Sequence, residues 1–301
     1  MRLDGLLFFP LTPFDSAGEV APDVLESHVA NGVDAGVGGV FVACGTGEFH
    51  ALAPAEYERV VRAAVGAVDH GVPVVAGAGG ALPHAIACAE AAERAGADGL
   101  LLMPPYLVSS AAAGLEDYVL RVAAATDLSV VIYQRNNARF SPEGAARLAT
   151  HPKIVGFKDG LGDIEQVQRI VLAVREEAGE DFLFFNGLPT AEMSAAAYRG
   201  AGVRLYSSAA FAFVPEVATA FYDALTNGDE NTVRRLLTEF YSPLTDLRDK
   251  VPGYAVSLVK AGARIRGLDA GSVRSPLTDP TPEHMAVLES LIETGLAAVK
   301  E

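Results

Sequence analysis

The chain has 301 residues, half of them apolar and a fifth charged, with a formal charge of −15. That length can bury one α/β barrel or two smaller domains, and the negative balance excludes nucleic acid and anionic membrane as partners, since both require a basic face. A small anionic substrate remains compatible, because a few arginines or backbone N–H groups suffice to hold one. Only Cys44 and Cys88 are present, without a CxxC pair, which excludes a disulfide framework and fits the cytoplasm.

The opening, MRLDGLLFFPLTPFDS, carries an apolar run broken by proline and no cleavage signature; it reads as a first strand over 6–12 and not as a signal peptide. Further β-rich runs follow at 39–45, 73–79, 99–105, 129–135, 154–160, 181–187 and 203–209, recurring every 22 to 34 residues. Helical patterns such as PAEYERVVRAAVGAV and HAIACAEAAERAG fill the intervals. Strands that are apolar on both faces belong to a parallel sheet covered by helices. The expected fold is therefore a (β/α)8 TIM barrel over residues 1–226. An open doubly wound sheet is the competitor, but it rarely uses so many near-regular units. Beyond about 213 the pattern turns purely helical, which predicts a C-terminal helical extension over 227–301. No run approaches the ~18 apolar residues of a membrane span.

In such a barrel the reactive groups gather at the C-terminal ends of the strands. The predicted strand ends carry Cys44-Gly-Thr-Gly-Glu48, Pro104-Pro-Tyr106, Tyr133-Gln-Arg135, Lys158, Asn186-Gly187 and Ser207-Ser208. Along IVGFK, residues 154, 156 and 158 share a face, as do Val131 and Tyr133 on the strand before, and Gly156 leaves space below Lys158. Adjacent strands lie about 4.8 Å apart, so the Tyr133 phenol can approach the Lys158 amine. An amine enclosed by apolar strands loses its charge near neutrality and can condense with a ketone; Tyr133 would then move protons. On its own, a lysine ending a strand is more often a solvated cap.

Gly45-Thr46-Gly47 suits a tight turn whose N–H groups hold a carboxylate, although an ordinary strand-to-helix turn has the same sequence. Glu48 reads as a buried structural acceptor. Arg135 can fork onto a second carboxylate or sit on a surface loop. Gly77-Ala-Gly-Gly80 lacks the spacing of a phosphate loop. The six histidines are scattered, so no metal site is expected. Lys260, in mid-helix, reads as packing or snorkelling.

PLTPF at 10–14, GTGE at 45–48, PPY at 104–106, Tyr133, GFKD at 156–159 and the helical C-terminus together resemble the dihydrodipicolinate synthase and N-acetylneuraminate lyase superfamily of class I (β/α)8 lyases. Within it the likeness is to the decarboxylating dehydratase branch, through FFPLTPFD, GTGEFHAL, VGFKDGLGDIE and VRSPLTD. The resemblance implies a Schiff base on Lys158, a proton shuttle at Tyr133, carboxylate binding at Thr46, and a pocket lined by Ser207 and Ser208. Tyr106 matches a position from which relatives reach across a dimer interface, so a homo-oligomer is implied, with no cofactor. Gly45 stands where the synthases carry a hydroxyl, and Ala138 replaces the arginine of the synthases. The first departure argues against a Thr-Tyr-Tyr proton relay; the second argues against dihydrodipicolinate synthesis and leaves Arg135 for the distal carboxylate. The expected reaction is dehydration and decarboxylation of a six-carbon keto diacid, with a pyruvate-releasing aldolase as the alternative.

Overall fold

The computed structural model describes residues 1–69 and 71–300. Its strands are β1 (Leu7–Phe8), β2 (Gly39–Val42), β3 (Val74–Ala78), β4 (Gly99–Leu102), β5 (Ser129–Gln134), β6 (Ile154–Asp159), β7 (Leu183–Asn186) and β8 (Leu205–Ser208). They pair in parallel in chain order, and the Leu7↔Ser207 and Phe8↔Ser208 register joins β1 to β8, closing the barrel. The expected barrel is thus observed, and the open sheet is excluded. β1 is much shorter than the run at 6–12, because Pro10 and Pro13 have no N–H to give to a ladder.

Around the barrel lie α1 (Pro22–Asp34), α2 (Pro54–Val68), α3 (Leu82–Ala95), α4 (Ala112–Ala124), α5 (Pro142–Ala149), α6 (Ile164–Ala178), α7 (Ala195–Gly200) and α8 (Pro215–Asn227). Their boundaries follow local chemistry. Proline opens α1, α2, α5 and α8, where its missing N–H costs nothing. The Asp163 carboxylate accepts the Gln166 N–H and caps α6, while Gly96 and Gly228 end α3 and α8 in the left-handed conformation. Along α2, Tyr57, Val60, Val61, Ala64 and Val68 form one buried stripe at helical spacing.

The extension comprises α9 (Glu230–Leu236), a π-helical turn at Leu237–Tyr241, α10 (Ser242–Arg248), α11 (Tyr254–Ile265) and α12 (Pro282–Ala298). Among the described residues, no helix is long and apolar enough to cross a membrane.

Aromatic rings fill the barrel's interior: Phe9 stacks on Phe41 with centroids 4.6 Å apart, and Phe41 meets Phe185 edge-on at 6.1 Å. Gly156 leaves no space below Lys158, contrary to expectation. A Cβ there would lie 2.9 Å from the Phe185 ring, so the missing side chain is what admits that ring. Gly77 and Gly79 likewise serve close packing, against the Ala43 carbonyl and Met103, and not a phosphate loop.

Candidate active site

Two adjacent strands place the central pair. β5 and β6 align Tyr133 with Lys158 and Gln134 with Asp159, after a register irregularity at Val130/Val131. Because side chains alternate across a strand, Tyr133 and Lys158 turn inward while Gln134 and Asp159 turn toward the helices. The outward pair is locked: the Gln134 amide donates to Asp159 Oδ1 at 2.7 Å, and the Tyr198 hydroxyl donates to Asp159 Oδ2. Asp159 also accepts the N–H of Leu161 and Gly162. These bonds fix the end of β6 and therefore the direction of Lys158.

Lys158 is 4 % exposed, and its Nζ rests 4.1 Å from the Phe9 ring centroid and 4.8 Å from that of Tyr133. Among the described residues no carboxylate forms an ion pair with it. Burial lowers its pKa to about 7; the neighbouring Cys44 opposes this and the Arg135 cation adds to it. A useful fraction of the amine is therefore free at neutral pH. The Tyr133 hydroxyl donates to the Gly187 carbonyl at 2.8 Å and accepts from an Arg135 guanidinium nitrogen at 3.0 Å. Burial raises the phenol's pKa, and Arg135 counteracts it. Gly187 has a steric role too. A Cβ there would stand 2.7 Å from Lys158 Cε and 2.8 Å from the Asp159 carbonyl.

Beyond β2 the chain turns sharply, with left-handed φ of 50° at Ala43 and 55° at Glu48. Gly45 and Thr46 line the central cavity. No acceptor among the described residues takes the N–H of Gly45, Thr46 or Gly47. Gly47 itself faces away, packed against Ala43 and the Pro10 carbonyl, and its own carbonyl accepts the Thr12 hydroxyl at 2.6 Å. The cavity has a volume of about 460 Å³ and is also lined by Cys44, Tyr106, Arg135 and Ser207.

Besides Gly47, two further expected lining residues are elsewhere. The Asn186 amide donates to the Ala191 carbonyl and Ser194 hydroxyl, and its oxygen accepts the Leu188 N–H, so it fastens the loop after β7. Ser208 donates to Glu192 at 2.6 Å behind the sheet. Both stand one residue beyond an inward position, on the same outer face as Gln134 and Asp159. Lys260 is not a snorkelling residue: it is fully buried and binds Glu48 at 2.7 Å. Sequence reasoning missed His50, Arg248 and Tyr254, which complete the rim. Arg248 ends α10, and its guanidinium reaches the Pro189 carbonyl at 2.9 Å and the Thr190 hydroxyl at 2.8 Å. Nothing in a helical sequence pattern indicates that contact.

A closed parallel barrel with an enclosed amine and a hydrogen-bonded phenol at its strand ends has the architecture of a class I lyase. The model of the dihydrodipicolinate synthetase family matches residues 2–294, and the chain belongs to that family. The "Probable 5-dehydro-4-deoxyglucarate dehydratase 1" of Streptomyces avermitilis is 55% identical over 297 residues, spanning 99% of this chain and 95% of its own. The 5-dehydro-4-deoxyglucarate dehydratase of Pseudomonas putida is 44% identical over 291 residues, 96% of this chain and 95% of its own. Among solved structures, dihydrodipicolinate synthase from Oceanobacillus iheyensis superposes with a TM-score of 0.90 at 27% identity, covering 98% of this chain and 97% of that one.

Proposed function

We propose that this chain is a Schiff-base hydro-lyase that converts 5-dehydro-4-deoxyglucarate to 2,5-dioxopentanoate, CO2 and water. The observation that carries the reading is the Lys158 amine, uncharged near neutrality and beside a phenol already hydrogen-bonded to Arg135. The relatives named above supply the substrate.

Lys158 attacks the C5 ketone and releases water as the imine forms. The free N–H groups of Gly45 and Thr46 and the Thr46 hydroxyl hold the adjacent carboxylate, with Ser207 beside them. The protonated imine withdraws electrons, so C4 gives up a proton and the C3 hydroxyl departs as water, with Tyr133 carrying protons at both steps. The C3–C4 double bond now conjugates with the imine. The pair of the C1–C2 bond then flows to nitrogen, and CO2 leaves. Arg135 has guanidinium nitrogens left to orient that distal carboxylate. Tautomerisation of the C2 enol gives the aldehyde, and hydrolysis frees Lys158. One electron sink serves both eliminations.

The same reading makes the enzyme cytoplasmic, in keeping with two unpaired buried cysteines. It also makes it a homo-oligomer in which a second copy covers the exposed Tyr106, Leu107 and Val108.

Borohydride with substrate should add covalent mass at Lys158, and Lys158→Ala should abolish both adduct and turnover. An active Lys158→Ala enzyme would overturn the mechanism. Pyruvate among the products, in place of CO2, would assign the chain to the aldolases.

A further inference from the structure

Glu48 and Lys260 are 212 residues apart in sequence, are essentially inaccessible to solvent, and meet at 2.7 Å. Neither lines the cavity. Both Glu48 oxygens are used: Oε1 accepts from Lys260 and Oε2 accepts the Arg274 backbone N–H at 2.8 Å. The Lys260 ammonium lies 3.9 Å from the Phe14 ring centroid, and the Arg274 guanidinium lies 4.0 Å from the same ring. Glu48 also closes the turn it ends, its N–H donating to the Gly45 carbonyl at 3.2 Å.

A buried ion pair seldom stabilises a fold more than apolar residues of the same volume would. Here it sits at a residue whose left-handed backbone is itself unfavourable. Both costs fall on the residue that ends the cavity-lining Gly45–Thr46 segment. We infer that Lys260 and Glu48 are positioning residues for substrate: from α11, Lys260 holds Glu48 and through it aims the N–H groups of Gly45 and Thr46 at a carboxylate. This rests on the reading that the turn binds the keto-acid carboxylate.

The test is calorimetric titration of 2-oxoadipate, a six-carbon keto diacid with no hydroxyl to eliminate, into Lys158→Ala and into Lys158→Ala/Lys260→Met. Without Lys158 no imine forms, so the titration reads carboxylate binding alone. The second protein should bind about tenfold or more weakly, as expected for a misaimed charge-assisted contact. In the Lys158-containing enzyme, Lys260→Met should raise KM in step while kcat stays within about threefold. If Lys260→Met leaves a protein that does not fold, Glu48→Gln/Lys260→Met removes both charges, and the same comparison applies. An unchanged Kd in a protein that merely melts earlier would overturn the inference. So would an absence of binding to Lys158→Ala itself, since the turn would then hold no carboxylate. A missing borohydride adduct in the unmodified enzyme would count against the Schiff base and leave the calorimetric result standing.

Discussion

At the scale of single residues, the reactivity proposed for Lys158 rests on what surrounds it. Apolar walls and two aromatic rings take away the hydration that an ammonium needs, and the resulting pKa of about 7 should appear directly in kinetics. kcat/KM should fall roughly tenfold per pH unit below that value, because only the free amine attacks. Arg135 lowers the proton affinity of Lys158, so Arg135→Gln should move this acid limb to higher pH. A profile flat from pH 6 to 8, or a limb that Arg135→Gln does not move, would refute the assignment. Lys158, Tyr133, Arg135 and the Gly45-Thr46 turn were legible in the sequence because each ends an apolar run. Asn186 and Ser208 carried the same signal and were misread. Strand parity settles them: the pairing of Lys158 with Phe185 and of Asp159 with Asn186 turns Asn186 outward.

At the scale of elements, the loops after the strands are held from behind by buried polar contacts. After β7, Glu192 accepts from Ser208 through one oxygen; its other oxygen and the Tyr206 and Tyr241 hydroxyls have no partner among the described residues. Burial raises the Glu192 pKa to about 7, partly offset by the Ser208 bond. An acid whose pKa is raised in the folded state contributes its full stability below its ordinary value of 4.5, and loses it as pH rises through about 7. Glu192→Gln keeps an acceptor for Ser208 and cannot ionise. It should therefore melt above the unmodified protein at pH 8, by up to about 3 kcal/mol, and converge with it below about pH 5. Equal melting curves at pH 8 would show that Glu192 finds compensation elsewhere. The sequence offered no sign of this cluster, because its members are brought together only by the pairing of β7 with β8 and by the π-helical turn that carries Tyr241.

At the scale of the whole molecule, the alternation of strands and helices was enough to foresee a barrel, since eight apolar strands each followed by a helix can bury both faces in few ways. The extension was foreseen as helices but not as part of the site. Helical periodicity reveals a buried face without revealing what covers it; Arg248 and Tyr254 were invisible for that reason, and Lys260 was read as packing or snorkelling with no sign of its pairing to Glu48. A protein ending at residue 226 should accordingly lack function even where it retains helical circular dichroism. It loses Arg248 from the Pro189–Thr190 loop, Lys260 from Glu48, and the Phe240 and Tyr241 rings that pack on Phe213 and Phe221. Turnover at the unmodified rate by that fragment would show that the barrel alone completes the site.

Arg248 also bears on how selectivity is divided along the polypeptide. Its grip on Pro189 and Thr190 steadies the loop whose Gly187 carbonyl accepts the Tyr133 hydroxyl, while Tyr254, a few residues on, lines the cavity. A chimaera that joined these strands to a relative's tail would keep its nucleophile. Its choice among sugar acids would then come from both parents.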